Sequence, residues 1–191
     1  MARFFADTNV LFPFSIMDLL LALTEDGVHE LIWTDVLLDE WQDVIVREQK
    51  RTPESAASIT AAIREFFDDC KVERAEYEAF VDEMPGPDDG DREHMAAAVA
   101  RQPCTILTHN KKDFPAESLR DRGVRVTDPD TYLCELADDL PDEVIDTLVR
   151  LAAEKSRPPK TAGDLLDDLA AAGVPNFAAK ARALLAGRAD T

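Results

Sequence analysis

Arg3-Phe4-Phe5-Ala6-Asp7-Thr8-Asn9-Val10-Leu11-Phe12 sets an acid between two apolar runs. Phe4-Phe5-Ala6 reads as a buried strand, and Asp7 follows it directly. The chain turns apolar again at once with Val10-Leu11-Phe12, so it stays buried around a charged group. In a parallel sheet, ligands bind at the carboxyl ends of the strands, which is where this acid would stand.

Working outward, the apolar patterns alternate between strand and helix. Ser15 to Glu25 reads as a helix with Ile16, Leu19, Leu20 and Leu23 on one face, and Leu31-Ile32-Trp33 as a second strand. Thr34 can cap the next helix, whose row Leu37, Trp41, Val44, Ile45 keeps helical spacing. Thr52-Pro53-Glu54 starts another, with Ile59, Ile63, Phe66 and Phe67 as its expected buried stripe. Met84 to Gly90 is a turn-rich loop leading into an Ala-rich helix that Asp91 opens, and Cys104 to Thr108 and Val124 to Val126 read as strands. Asp128-Pro129 begins a helix through Tyr132, Leu133 and Leu136. This order predicts an α/β fold of three layers, α/β/α, with a central, mostly parallel sheet covered on both faces.

From residue 140 the pattern is helical throughout: Val144, Ile145, Leu148 and Leu151 follow Pro141, and Leu165, Leu166 and Leu169 follow a Thr161 cap. Phe177, Ala181, Leu184 and Leu185 follow Pro175. The expected division is residues 1–139 as one domain and 140–191 as a helical extension, with a Pro-rich basic linker at 156–163. No apolar run is long enough to span a membrane, and nothing resembles a cleaved leader, so a cytoplasmic protein is expected. Cys70, Cys104 and Cys134 read as reduced, buried thiols, and with His29, His94 and His109 they offer no zinc spacing.

The net charge of −18 argues against binding nucleic acid through a broad basic surface. Residues 1–140 hold 31 acids against 14 bases, whereas residues 141–191 are nearly balanced. Within that acidic stretch a few positions stand out. Glu40 shares an i, i+4 row with Val36 and Val44, while Asp35, Asp39 and Asp43 fall on the opposite face. Asp91 is in register with Met95 and Ala98 and so faces the sheet, with Glu93 facing out. Asp88 and Asp89 precede it and compete for its role. Asn110 and Asp113 follow the 104–108 strand, beside Lys111 and Lys112. Each position also has a plain structural reading: a turn residue, a flank carboxylate reaching water, a first-turn acid on a helix dipole, a polar turn. Together they make most sense as a divalent-metal site, because carboxylates pointing into one interior repel and resist burial unless a cation neutralises them.

Phe5-Ala6-Asp7-Thr8-Asn9-Val10-Leu11, Leu38-Asp39-Glu40-Trp41, Asp91 to Ala98, and Leu107-Thr108-His109-Asn110 with Asp113-Phe114-Pro115 resemble, in order and spacing, the PIN-domain ribonucleases. That family includes VapC-type toxins of bacterial toxin–antitoxin pairs, and the resemblance covers residues 3–135. It implies Asp7, Glu40 and Asp91 as the main metal-binding acids and Asp113 as the fourth, with Asn9 supporting Asp7. Asp89 and Asn110 are alternatives. It further implies Mg²⁺ or Mn²⁺ as cofactor, RNA as substrate, a cognate antitoxin as partner and a homodimer. Arg92, Lys111 and Lys112 are candidates to hold the phosphate. The other readings are a non-catalytic PIN-like interaction protein and a phosphatase with Asp7 as nucleophile. The latter type usually has a second Asp two positions on, where this chain has Asn9.

Overall fold

The structure, a computed structural model, describes residues 1–189; the last two residues of the expected extension lie outside them. In chain order come β1 (Ala2–Ala6), α1 (Thr8–Leu11), α2 (Phe14–Glu25), β2 (His29–Ile32), α3 (Asp35–Arg47), α4 (Pro53–Phe66) and α5 (Arg74–Val81). Then follow α6 (Asp89–Ala100), β3 (Cys104–Leu107), α7 (Ala116–Arg120), β4 (Val124–Thr127), α8 (Pro129–Asp139), α9 (Pro141–Glu154), α10 (Ala162–Ala171) and α11 (Pro175–Ala189). These elements form two compact units, Ala2–Phe12 with Glu30–Thr127, and Pro13–His29 with Asp128 onward.

The first unit carries the sheet, of order β2-β1-β3-β4, with β1 and β3 parallel and β3 and β4 parallel. It is the α/β arrangement expected, and it fits a PIN-like fold. Phe4, Phe5 and Ala6 are wholly buried, as a strand covered on both faces requires. Each Phe contributes about 1.5–3 kcal/mol of hydrophobic stabilisation. Ala6 lies opposite Leu107, and Leu107 opposite Thr127, so these three strands end at one rim. Thr34 and Thr52 cap α3 and α4 through their hydroxyls, as their positions before the apolar rows predict. Trp41 donates its indole N–H to Leu11 O at 3.0 Å, which ties α3 to α1.

At three places the structure differs from what the sequence predicts. Phe66 is 78% exposed, because the buried row of α4 is Ala56, Thr60 and Ile63 and continues to the half-buried Phe67. Glu93 does not face water; it accepts hydrogen bonds from Arg74 and Tyr77 of α5. The three cysteines are free, but only Cys104 is buried, with Cys70 and Cys134 half-buried.

In the second unit α2 packs with α9 and α10, and α8 with α9 and α11. The unit's buried histidine, His29, donates from Nε2 to Leu20 O at 2.9 Å, which leaves Nδ1 to accept from the Tyr132 hydroxyl at 3.1 Å. Asp130 accepts from the backbone N–H groups of Asn176 and Phe177 and so satisfies the start of α11. Thr161 caps α10 with a reciprocal bond to Asp164, as expected.

Candidate functional site

Asp7 stands at the strand rim. Its backbone N–H donates to Leu107 O at 2.9 Å and prolongs the ladder one residue past β1. Its carboxylate accepts from the Thr108 hydroxyl at 2.7 Å and from the Asn9 side-chain amide. Asn9 Oδ1 in turn accepts from His109 N at 3.1 Å. Asp7 is only 7% exposed. Burial raises its pKa, and the bonds from Thr108 and Asn9 pull the other way without cancelling that rise.

Other elements bring further acids to the same place. Glu40 comes from α3, beside Trp41. Burial lifts its pKa most, with Asp7 and Asp88 adding to the rise and Thr8 opposing it. Thr8 Oγ1 is near enough to favour the charged carboxylate but falls short of hydrogen-bond geometry. The Glu40 side chain is 44% exposed, so it forms a cleft wall rather than part of the core. Asp91 sits in the first turn of α6, where Asp88 is the cap and accepts from Asp91 N at 3.1 Å. The helix therefore opens at Asp89, two residues before the expected start, because Asp88 takes the capping role. Burial and then the facing charges of Asp88, Asp7, Asp113 and Glu40 push the Asp91 carboxyl from 3.8 up to about 6. Asp113 accepts from the Asn110 side-chain amide.

A cleft of about 430 Å³ is lined by Asp7, Asn9, Glu40, Asp91, Asn110 and Asp113, together with Thr8, Phe12, Val44 and Glu48. A neighbouring cavity of about 410 Å³ is lined by Gly86, Pro87, Asp88, Asp91, Lys112, Asp113 and Pro115. Asp91 and Asp113 border both. Asp89 is paired with Arg92, and neither of them, nor Lys111, is among the lining residues described for either cavity. Thr108, which holds Asp7, has no local sequence signal; it is found only once the register places it beside the end of β1. Phe12 and Val44, both half-buried, supply an apolar wall to the cleft.

The donors are all oxygen, the chemistry that suits Mg²⁺ or Mn²⁺. Gly90 leaves a gap between two of them: a Cβ there would lie 3.1 Å from Asp88 Oδ1 and 3.8 Å from Glu40 Oε2. Among the described residues, however, no group of three or more His, Cys, Asp or Glu side chains stands close enough to hold a metal ion. The acids share a cleft without forming a closed coordination shell, the spacing that mutual repulsion favours. The donor chemistry fits a divalent cation, and coordination would require the carboxylates to draw together.

Residues 129–183 match the family described as VapC50 C-terminal domain, a span that lies wholly in the helical unit. The chain is also 35% identical over 94 residues to a protein of Mycobacterium tuberculosis (strain ATCC 25618 / H37Rv) named as a candidate ribonuclease, VapC50. That match takes in 49% of this chain and 55% of the relative, so the chain spans about half the length of the curated relative it matches. No solved structure gives a significant match. The two matches support a VapC-like PIN family.

Proposed function

We propose that this chain, as a VapC-like PIN-family protein, is a metal-dependent ribonuclease that hydrolyses RNA phosphodiester bonds and acts as the toxin of a toxin–antitoxin pair. One observation carries the reading: Asp7, Glu40, Asp91 and Asp113 line one cleft, where burial and the facing charges raise the Asp91 carboxyl to about 6. An arrangement so unfavourable to its own ionisation suits a site whose working partner is a cation.

Asp7, Glu40, Asp91 and Asp113 would hold Mg²⁺ or Mn²⁺. When bound, such an ion supplies charge neutralisation, an acidified water and a countercharge for the leaving oxygen. Thr108 and Asn9 fix the direction of the Asp7 carboxylate. Asn110 does the same for Asp113. Lys112, on the wall of the second cavity, would meet a phosphate of the RNA strand. A cognate antitoxin would present a basic segment to this acidic cleft. A homodimer follows from the family resemblance alone.

Purified protein is to be incubated with mixed tRNA and synthetic RNA in Mn²⁺ or Mg²⁺, beside chelator and Asp7→Asn controls. Cleavage lost in both controls is the expected result; cleavage unchanged in Asp7→Asn sinks the reading. The separation of the carboxylates favours a second reading, a non-catalytic PIN-like interaction protein. Absence of both cleavage and calorimetric Mn²⁺ binding would select it.

A further inference from the structure

His94 is 1% exposed, and neither ring nitrogen has a hydrogen-bond partner among the described residues. A buried polar atom left unsatisfied is destabilising, so an aliphatic or phenyl side chain would serve a purely structural role better. The surroundings indicate what the imidazole is for. His94 follows Asp91 by three positions on α6 and therefore shares its side of the helix. Its ring rests against Phe5 of β1, with centroids 5.1 Å apart and planes tilted by 42°. Its Nε2 stands 3.5 Å from Glu40 Oε2, within ion-pair range but outside hydrogen-bond geometry.

We propose that His94 is a positioning residue whose Nε2–H donates to Glu40 Oε2 and aims that carboxylate into the cleft. Glu40 needs such a guide. Its side chain is 44% exposed, and a free Glu side chain is among those with most rotamer freedom to lose when fixed. A carboxylate only accepts, so the proton must sit on Nε2; a lone pair there would repel it. The Phe5 ring packs against the imidazole and limits its turning away. The consequence for the cleft rests on Glu40 being a cation ligand, as proposed above, whereas the contact itself does not.

Two measurements test it. In the metal-free full chain labelled with ¹⁵N-histidine, His94 is expected as the Nε2–H tautomer, with a resonance that moves in Glu40→Gln while those of His29 and His109 stay. An Nδ1–H tautomer, or a resonance indifferent to Glu40→Gln, overturns the inference. Calorimetric titration with Mn²⁺ is then compared across the parent, His94→Phe and His94→Gln. His94→Phe should keep the parent's melting temperature or exceed it, yet bind Mn²⁺ roughly tenfold more weakly, the usual penalty for losing a group that orients a ligand. His94→Gln, which restores a donor, should recover most of that affinity. Unchanged affinity in a folded His94→Phe also overturns it. Should the parent bind no Mn²⁺, the metal-dependent function fails alone, and the tautomer still decides the role of His94.

Discussion

Asp91→Asn should make the metal-free protein more stable at neutral pH and leave it nearly unchanged in acid. The Asp91 carboxyl is held near 6 against an ordinary 3.8. A carboxyl whose folded value is raised contributes its stability below the unfolded value and loses it as pH climbs through the folded one. The relevant window is therefore from 3.8 to about 6. At full strength that difference corresponds to roughly 3 kcal/mol. The side chain keeps contact with water, and screening reduces the figure to about 1 kcal/mol. Loss of a favourable first-turn charge offsets about 0.3 kcal/mol or more of the gain. The assay is urea unfolding with chelator present, for parent and variant, at pH 3.5, 5 and 7.5. Other carboxylates titrate in both proteins, so only the difference between the curves is read. The variant should gain with rising pH and level off above 6.5. A difference that is flat, or that favours the parent at pH 7.5, would refute the account of facing charges at this rim.

Thr108→Val removes the 2.7 Å bond to Asp7 and the acceptor of Asn110 N. It should cost about 1.5–3 kcal/mol in thermal or urea unfolding. Calorimetry should show Mn²⁺ affinity falling by about tenfold; full affinity would mean Thr108 does not direct Asp7. Gly90→Ala gains up to about 1 kcal/mol of helix propensity, yet fills the gap between Asp88 and Glu40. Its melting temperature should hold or rise while Mn²⁺ binding weakens, and binding equal to the parent's would place the cation elsewhere. His29, held down to about 4 by burial from an ordinary 6.5, contributes stability that is present above 6.5 and lost as pH falls toward 4. The effect is roughly 3 kcal/mol, so His29→Gln should flatten the acid limb of stability between those values; an unaltered limb would contradict the buried, neutral imidazole.

The strands and most helices are legible because each buries a local pattern. Phe4-Phe5-Ala6 has no polar face to present, and Thr34, Thr52 and Thr161 sit where a hydroxyl reaches the third amide of the helix. Helix α5 leaves no such trace, since Tyr77 is its one buried residue, and α7 buries only Leu119. Register also carries what local pattern does not. Thr108 meets Asp7 because Ala6 lies opposite Leu107, a pairing between residues a hundred positions apart that no spacing rule announces. In Asp88-Asp89-Gly90-Asp91 three acids compete, and only the hydrogen bond from Asp91 N shows that Asp88 caps and leaves Asp91 to face the cleft. The acids could be chosen from the sequence one at a time; their mutual effect needed the fold.

That mutual effect bears on how an acidic protein could handle RNA at all. Most of the acid surplus lies in residues 1–140, which contain the cleft. A phosphate nearing this rim meets carboxylates before it meets a base, since Lys112 is the basic residue among the described linings of the two cavities. Protein side chains alone would therefore oppose an RNA substrate at this rim. A divalent cation would reverse the local sign while leaving the acidic surplus of the rest of the chain in place, so affinity for phosphate would be tied to occupancy of the site by metal. The same field that would keep polyanions off a metal-free cleft would draw in a basic inhibitory segment, and a partner that neutralises Asp91 and Glu40 with its own cations would occupy the place of the metal. Catalysis and inhibition would then compete for one set of carboxylates, which needs no second regulatory site.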